Sequence, residues 1–289
     1  MSSAFVFPGQ GSQSVGMGKD LAEKYLDLAN QVLGFDLKTI VLEGPEDALK
    51  RTEIQQPAIF TISVAAFEFL AARNSQPAIV AGHSLGEYSA LYAAGVISFE
   101  DGVKTVNLRG KFMQEAVPAG EGAMAALLGG DRDTISAICR EVGNVWPANF
   151  NSPGQVVISG TKEAIEQAGI KLKAAGVKKL IPLAVSAPFH CPLMQPAADK
   201  LAAQLDKITI NDARLPVYAN VTAGPVTSGA EIKKLLVQQV TAPVLWEDLI
   251  KNMVAAGSLD FVEVGPGKVL AGLIKKIDPA VEVRSFLET

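Results

Sequence analysis

"AIVAGHSLGEYSALYAAG", residues 78–95, sets a short apolar run directly against Gly82-His83-Ser84-Leu85-Gly86 and continues as a helical pattern. Pro77 to Ala81 reads as a buried strand, and Leu85 to Ala94 as a helix that begins without a linker. A strand that enters a helix through G-x-S-x-G is the context a nucleophile elbow requires. Glycine on both flanks lets strand and helix approach closely, so that Ser84 stands exposed on a strained turn. The N–H of Leu85, at the helix N-terminus, would then be free to stabilise an oxyanion. The plainer reading of Ser84 is a helix N-cap after a Gly-rich turn. A strand before it and a helix after it favour the nucleophile.

Working outward, the first 120 residues alternate short apolar runs with longer helical patterns, the signature of a parallel sheet covered by helices. Phe5 to Phe7 is a strand followed by a Gly-rich turn. Helices are expected at Asp20 to Leu33, Ile54 to Arg73 and Phe99 to Val117, the last with Val103, Val106, Gly110, Met113 and Val117 at helical spacing. From Gly122 the rhythm changes. Strands at 123–128, 144–150, 155–160 and 178–186 and helices at 132–143 and 162–176 give the order βαββαβ, a ferredoxin-like unit whose ends lie close enough to be inserted in a larger domain. Helices then return near Met194 to Ile208, Ala230 to Val240 and Leu245 to Ala256, with strands at Leu215 to Ala219 and Asp260 to Val264. The expected fold is α/β: a large domain with a parallel sheet covered by helices, formed by residues 1–120 and 187–289, carrying a ferredoxin-like small domain at 121–186.

A serine hydroxyl needs a base, and histidine is the usual one. The chain has two histidines. His83 adjoins Ser84 along the backbone and is badly placed to fold back onto it, which points to a structural role beneath the elbow. His190, in "SAPFHCPLM" where the insert rejoins the large domain, becomes the candidate base. Its plainer reading is a satisfied surface or core histidine.

Composition narrows the function classes. Hydrophobic residues are 48% and charged residues 19% of the 289, with a formal net charge of -4. That is globular, and without the basic footprint of nucleic-acid binding. Cys139 and Cys191 are too few for a disulfide framework or a thiolate metal site, which suits a reducing compartment. The opening "AFVFPGQGSQ" does not read as a secretory leader. The most apolar helical stretch, 60–72, contains Thr61, Ser63 and Glu68 and reads as too short to span a bilayer. A cytoplasmic protein with no membrane partner is the expectation. "GQGSQ" is not a dinucleotide loop, because Ser14 stands where G-x-G-x-x-G needs glycine. "GPGK" at 265–268 lacks the spacing of a phosphate loop and reads as a strand-to-helix turn.

Seven segments together resemble the malonyl-CoA:acyl carrier protein transacylases of fatty acid synthesis and the related acyltransferase domains of polyketide synthases. They are "FPGQGSQ" (7–13), "GHSLGEYSAL" (82–91), "LRGKFMQ" (108–114), "NSPGQVVISG" (151–160), "PFH" (188–190), "QVTAPVLWEDLI" (239–250) and "VEVGPGKVLAGLIKKI" (262–277). The resemblance implies that Ser84 carries a malonyl group and His190 is the base, oriented by an oxygen at Gln239 in place of an acid. It implies that Gln10 is the second oxyanion donor beside Leu85, through its backbone N–H, and that Arg109 grips the malonyl carboxylate. Asn151 falls in a matching loop and receives no role. Arg109 sits at about 60° from Val106 and about 40° from Met113 around its helix, on the edge of the apolar stripe. An arginine laying its stem along the core is the plainer reading there. A guanidinium nevertheless fits a carboxylate, through two parallel charge-assisted bonds.

The implied partners are malonyl-CoA (with coenzyme A as product) and an acyl carrier protein, and no metal or redox cofactor is expected; oligomeric state is not written in the sequence, and a monomer is the default expectation. An acidic carrier requires a local basic patch, for which Lys178, Lys179, Lys268, Lys275 and Lys276 are candidates. Three rivals stand beside this reading. An α/β serine hydrolase or thioesterase also uses G-x-S-x-G, but its histidine usually lies near the C-terminus and it has no use for Arg109. A trans-acting polyketide acyltransferase would share every motif. A non-catalytic carrier-binding module would have little reason to hold both Ser84 and His190.

Overall fold

The computed structural model describes residues 3–185 and 187–287. The chain begins with β1 (Ala4–Phe7), buried on both faces, and passes through α1 (Glu23–Leu33), α2 (Leu37–Leu42) and α3 (Glu46–Leu49) to a long helix, α4 (Thr52–Ala71). Then come β2 (Ile79–Gly82), α5 (Gly86–Ala93) and α6 (Phe99–Glu115). The middle of the chain supplies β3 (Gly122–Leu128), α7 (Arg132–Val142), β4 (Val145–Ser152), β5 (Gln155–Thr161), α8 (Lys162–Ala174) and β6 (Lys179–Pro182). A 3-10 turn at Pro192–Met194 leads into α9 (Gln195–Leu205), β7 (Val217–Tyr218), β8 (Pro225–Val226), α10 (Gly229–Thr241) and α11 (Trp246–Ala255). The chain closes with β9 (Asp260–Pro266), α12 (Val269–Ile277) and β10 (Glu282–Leu287).

Two sheets result. The larger has the order β10-β9-β1-β2-β7-β8, parallel throughout except for the β7–β8 pair. Strands β1 and β2 at its centre are continuous apolar runs, as expected of strands covered by helices on both faces. The smaller is antiparallel with the order β4-β5-β3-β6, which is the ferredoxin-like order for a βαββαβ unit. Helices α7 and α8 bury its outer face through Ile135, Cys139, Ile165 and Leu172. The smaller sheet is tied to the loop between α10 and α11 by Phe150 N–H to Val244 O and Val244 N–H to Ala148 O, each 2.9 Å. Met124, Ala148 and Phe189 also join the core of the larger unit.

Several sequence expectations change in detail. α4 runs to 20 residues and is long and apolar enough to cross a membrane by composition alone, so the shortness expected of 60–72 does not hold. The helix is instead the buried centre of the fold, enclosed from Ile54 through Phe67. α1 starts at Glu23 rather than Asp20, because Leu21 and Ala22 first close a turn onto Gly18. The strand expected over 178–186 is regular only over Lys179–Pro182, although Leu183 N–H still donates to Met124 O of β3 at 3.0 Å; Ser186 lies outside the described residues. The short helices α2 and α3, the two-residue β8, helix α12 and the edge strand β10 had no counterpart among the expected elements, although "GPGK" does turn β9 into α12.

The elbow is held by contact distances that only glycine permits. A Cβ on Gly82 would lie 1.9 Å from the Gly86 carbonyl carbon, and one on Gly86 would lie 2.0 Å from Phe7 O. Ser84 between them takes φ 51°, a left-handed conformation costly for any residue with a side chain. Gly86→Ala should therefore lower the melting temperature, with a loss of roughly 1–3 kcal/mol or more from overpacking. Gly272→Ala, in α12 with nothing within 4 Å of the added carbon, should be neutral or stabilising by about 0.5–1 kcal/mol. Circular-dichroism melts of the two variants decide it, and equal effects would refute the packing argument.

Candidate active site

Ser84 sits between β2 and α5, buried rather than exposed as the elbow pattern led one to expect because Arg109, His190 and Gln239 close over it, and its backbone is clamped on both sides. Its N–H donates to Asn220 Oδ1 at 2.7 Å, and its carbonyl accepts from Gln239 Nε2 at 3.1 Å. Ser84 Oγ lies 2.7 Å from His190 Nε2. His190 arrives on the loop between β6 and α9, itself at φ 58°, and its Nδ1 lies 2.8 Å from the backbone carbonyl of Gln239. A carbonyl can only accept, so Nδ1 carries the proton and Nε2 is left bare to receive one from Ser84.

The carbonyl is available for a reason written in the chain. A helical carbonyl is normally taken by the N–H four residues on, and four residues after Gln239 stands Pro243, which has none. Helix α10 ends at Thr241, so this carbonyl belongs to the last turn, where orphan acceptors need outside donors.

Electrostatics set the base. Burial, and then the positive charge of Arg109, push His190 down to about 3, partly offset by its bond to the Gln239 carbonyl. His83 is also lowered by burial; its Nε2 lies 2.8 Å from Asn151 Oδ1 and its ring packs near Trp246, which fits a supporting place rather than contact with Ser84.

Arg109 is fully buried, deeper than the stripe-edge position expected of it. One of its terminal nitrogens donates to Gln56 Oε1 at 2.8 Å; the other donates to Gln239 Oε1 at 2.9 Å and to Ser84 Oγ at 3.2 Å. None of these bonds reaches a carboxylate, and Nε has no partner among the described residues. A buried cation held by neutral groups beside a nucleophile is an anion receptor in waiting.

The loop carrying Gln10 lies directly under the elbow, since a Cβ on Gly9 would come within 2.4 Å of His83 O. The Gln10 side chain is fastened to α4 at both ends, by Nε2 to Gln55 Oε1 at 2.6 Å and from Gln56 Nε2 to Oε1 at 3.3 Å. Among the described residues, neither the Gln10 nor the Leu85 backbone N–H has a protein acceptor. Both are thus available to an oxygen next to Ser84. Two clefts meet at Gln10. One of about 300 Å3 runs past His83, Asn149, Asn151 and Leu270, and one of about 580 Å3 runs past Arg51, Gln55 and Leu183.

The structure thus brings Ser84, His190, Gln239, Arg109, Leu85 and Gln10 into one site. It also adds groups that the sequence reading missed. Asn220 donates through Nδ2 to Gly82 O at 2.6 Å and locks the strand end below the serine. Gln56 joins Arg109 to Gln10, and Glu87 accepts from Gln239 Nε2 at 2.7 Å. Only Glu87 had a visible signal, a carboxylate in the helix turn directly after the elbow. All five candidate lysines are exposed, with Lys268 beside the mouth of the smaller cleft, although Lys275 spends its ammonium on Val281 O at 2.6 Å. Among the described residues, no three His, Cys, Asp or Glu side chains converge as a metal site would require.

The family model for the acyl transferase domain matches residues 4–283. The malonyl CoA-acyl carrier protein transacylase of Escherichia coli (strain K12) is 52% identical over 284 residues, covering 95% of this chain and 92% of that protein. An acyl carrier protein S-malonyltransferase from Vibrio cholerae superposes with a TM-score of 0.97 at 45% identity, covering 100% of this chain and 98% of that one. A malonyl-transacylase solved in complex with a type II PKS acyl-carrier protein also gives 0.97 at 45% identity, covering 100% and 97%.

The depressed basicity of His190 yields a pH prediction that does not depend on substrate. A base whose folded pKa lies below its ordinary value stays unprotonated until the pH falls through that lower value. Labelling of Ser84 by a fluorophosphonate should therefore hold its rate as pH drops from about 8 past the ordinary histidine value of about 6.5. Loss of half the rate near 6.5 would show that Arg109 and burial do not act on His190 as argued.

Proposed function

The chain belongs to the acyl transferase domain family, and from that premise we propose that it moves malonyl groups from coenzyme A to the thiol of an acyl carrier protein in fatty acid biosynthesis, through an ester on Ser84. The observation that carries the proposal is the 2.7 Å pairing of Ser84 Oγ with His190 beside a buried, carboxylate-free Arg109. A nucleophile and base serve any acyl transfer; the cation selects an acyl group that ends in an anion.

The cycle has two half-reactions. In the first, Ser84 Oγ attacks the thioester carbonyl as its proton passes to His190 Nε2, and the oxyanion is held by the N–H groups of Leu85 and Gln10. Each such donor contributes about 2.7–4 kcal/mol in comparable sites. The C–S bond breaks and His190 returns the proton to the departing coenzyme A thiolate. In the second, the phosphopantetheine thiol gives its proton to His190 and attacks the ester, the C–O bond breaks, and Ser84 recovers its proton. Both steps exchange an acyl group at constant oxidation state, so no redox cofactor has work to do, and the oxyanion role a Lewis-acid metal would fill is assigned to the Leu85 and Gln10 N–H groups. The site is complete within one chain, which supports a monomer, and two free buried cysteines suit the cytoplasm.

We assign the cleft to the seam between a large unit, 1–120 and 187–289, and an inserted unit, 121–186, a division supported by the two separate sheets. The exposed Lys178, Lys179, Lys268 and Lys276 are the proposed contacts for an acidic carrier, so transfer to it should weaken as salt rises. A polyketide carrier is a second acceptor with one observation behind it, the complex of a similar transacylase with such a carrier. A hydrolase is disfavoured, because Gln239 offers a neutral carbonyl where a carboxylate would stand.

Incubation with malonyl-CoA followed by peptide mass spectrometry tests the core of the proposal. The expected product is a persistent malonyl ester on the peptide that contains Ser84; release of free malonate without an adduct would make the protein a hydrolase. Arg109→Ala should lower the ratio of kcat/KM for malonyl-CoA to that for acetyl-CoA by roughly tenfold to 150-fold, from about 1.5–3 kcal/mol in bonds to a charged group. Equal losses on both thioesters would reduce Arg109 to a support for Gln56, Gln239 and Ser84.

A further inference from the structure

Arg109 has no bonded carboxylate, yet one stands a single amide away. Arg109 donates to Gln239 Oε1 at 2.9 Å, and Gln239 Nε2 donates onward to Glu87 Oε2 at 2.7 Å. The amide can face only one way, because a guanidinium has donors alone and must meet the oxygen. The same Glu87 oxygen accepts from the Asn220 backbone N–H at 3.1 Å. Glu87 is buried on the turn of α5 that follows Ser84, and no step of the cycle above uses it.

A buried charge requires an opposite charge within reach. In the empty site Glu87 is that partner for Arg109, at one remove. A substrate carboxylate on Arg109 brings a second anion into the same enclosed space, and two carboxylates sharing a low-dielectric site cannot both stay ionised cheaply. Glu87 is the one that yields, because it is held by two neutral N–H groups while the substrate would face the guanidinium itself.

We propose that Glu87 is a positioning residue that exchanges charge with the substrate: ionised while Arg109 is empty, it takes one proton from bulk water when a malonyl carboxylate docks there, and releases it when that carboxylate leaves. This rests on the reading of Arg109 as the malonyl grip. The enclosed charge is then one cation and one anion both before and after loading, so no net charge is added to the buried site. Burial already pushes Glu87 up to about 7, so modest further repulsion completes the protonation near neutral pH.

The groups facing Glu87 leave few competitors. From α6 the facing charge is Arg109, and from its own helix the neighbour is Tyr88. α10 and the loop after β7 present the neutral amides of Gln239 and Asn220, while β1 and β2 are apolar. The acids of α4 are engaged elsewhere, Glu53 with Arg51 and Glu68 with Tyr92. His190 and His83 lie beyond Ser84 and are both held toward the neutral form.

Calorimetric titration of the Ser84→Ala protein, in buffers of different ionisation enthalpy, counts protons taken up per ligand bound without turnover. At about pH 7.5 malonyl-CoA should take up on the order of half a proton or more beyond acetyl-CoA. The difference should vanish in Ser84→Ala/Glu87→Gln. It should also shrink as pH falls below about 6, where Glu87 already holds its proton. That second readout needs no Glu87 variant, and it separates Glu87 from the histidines, whose uptake would grow as pH falls. Equal uptake for the two thioesters, uptake undiminished by Glu87→Gln, or a difference that grows toward acid overturns the inference and leaves the malonyl reading standing. Failure of malonyl-CoA to bind overturns both.

Discussion

One hydrogen bond, from His190 Nδ1–H to the backbone carbonyl of Gln239 at 2.8 Å, organises the site. It exists because the chain cannot use that carbonyl itself: Pro243 occupies the position whose N–H would have closed the helix. A buried carbonyl without a donor and a buried imidazole without an orientation are each costly alone. Together they satisfy one another, and the bond fixes which ring nitrogen is bare. The hydroxyl of Ser84 lies 2.7 Å from that nitrogen, where the proposed cycle has it give up its proton.

The neutrality of the acceptor has consequences for everything within reach. A carboxylate in place of the carbonyl would stabilise the imidazolium more strongly, but it would bring a permanent anion next to the buried Arg109. That anion would pair with the guanidinium and occupy the place the proposed cycle reserves for substrate. A carbonyl orients the ring without competing. The accompanying cost is a weaker base, since burial and Arg109 both oppose its protonation. Under the proposed cycle a malonyl carboxylate takes the place of Glu87 as the anion paired with Arg109, so loading leaves the enclosed charge, and with it the electrostatic setting of His190, unchanged.

How much of this was legible in the sequence depended on whether the information was local. The elbow was readable because strand, glycines, serine and helix are contiguous, and the close approach of Gly86 to Phe7 O is a direct outcome of that pattern. The βαββαβ order of the middle segment was likewise visible in periodicity, and the observed strand order β4-β5-β3-β6 follows it. Long-range partners were not. Asn220 supports Ser84 because β7 lies beside β2 in the sheet, and nothing in the residues around 220 announces that adjacency. Gln56 sits in the polar opening turns of α4, beside Glu53 and Gln55, where nothing sets it apart until Arg109 is found against it. The short α2 and α3 carry too few residues for a periodic signal. Gln239 was reachable only through resemblance, although the proline four residues later held a local reason to suspect its carbonyl.

Gln239 also shows why one residue type is required there. Its main chain accepts from His190, its side-chain oxygen accepts from Arg109, and its side-chain nitrogen donates to Ser84 O and Glu87. An aspartate or glutamate could accept from Arg109 but could not donate to the serine carbonyl, and would neutralise the cation. Asparagine has the right chemistry on a stem one methylene shorter, too short to span the same partners from the same backbone position. Ser84 at φ 51° and His190 at φ 58° both sit in a backbone region that disfavours them, by about 1–3 kcal/mol each, and such conformations persist only where surrounding bonds over-determine them. Gln239 bonds to both residues, so the restraint on the nucleophile, the restraint on the base and the seat of the cation all pass through a single side chain and its carbonyl.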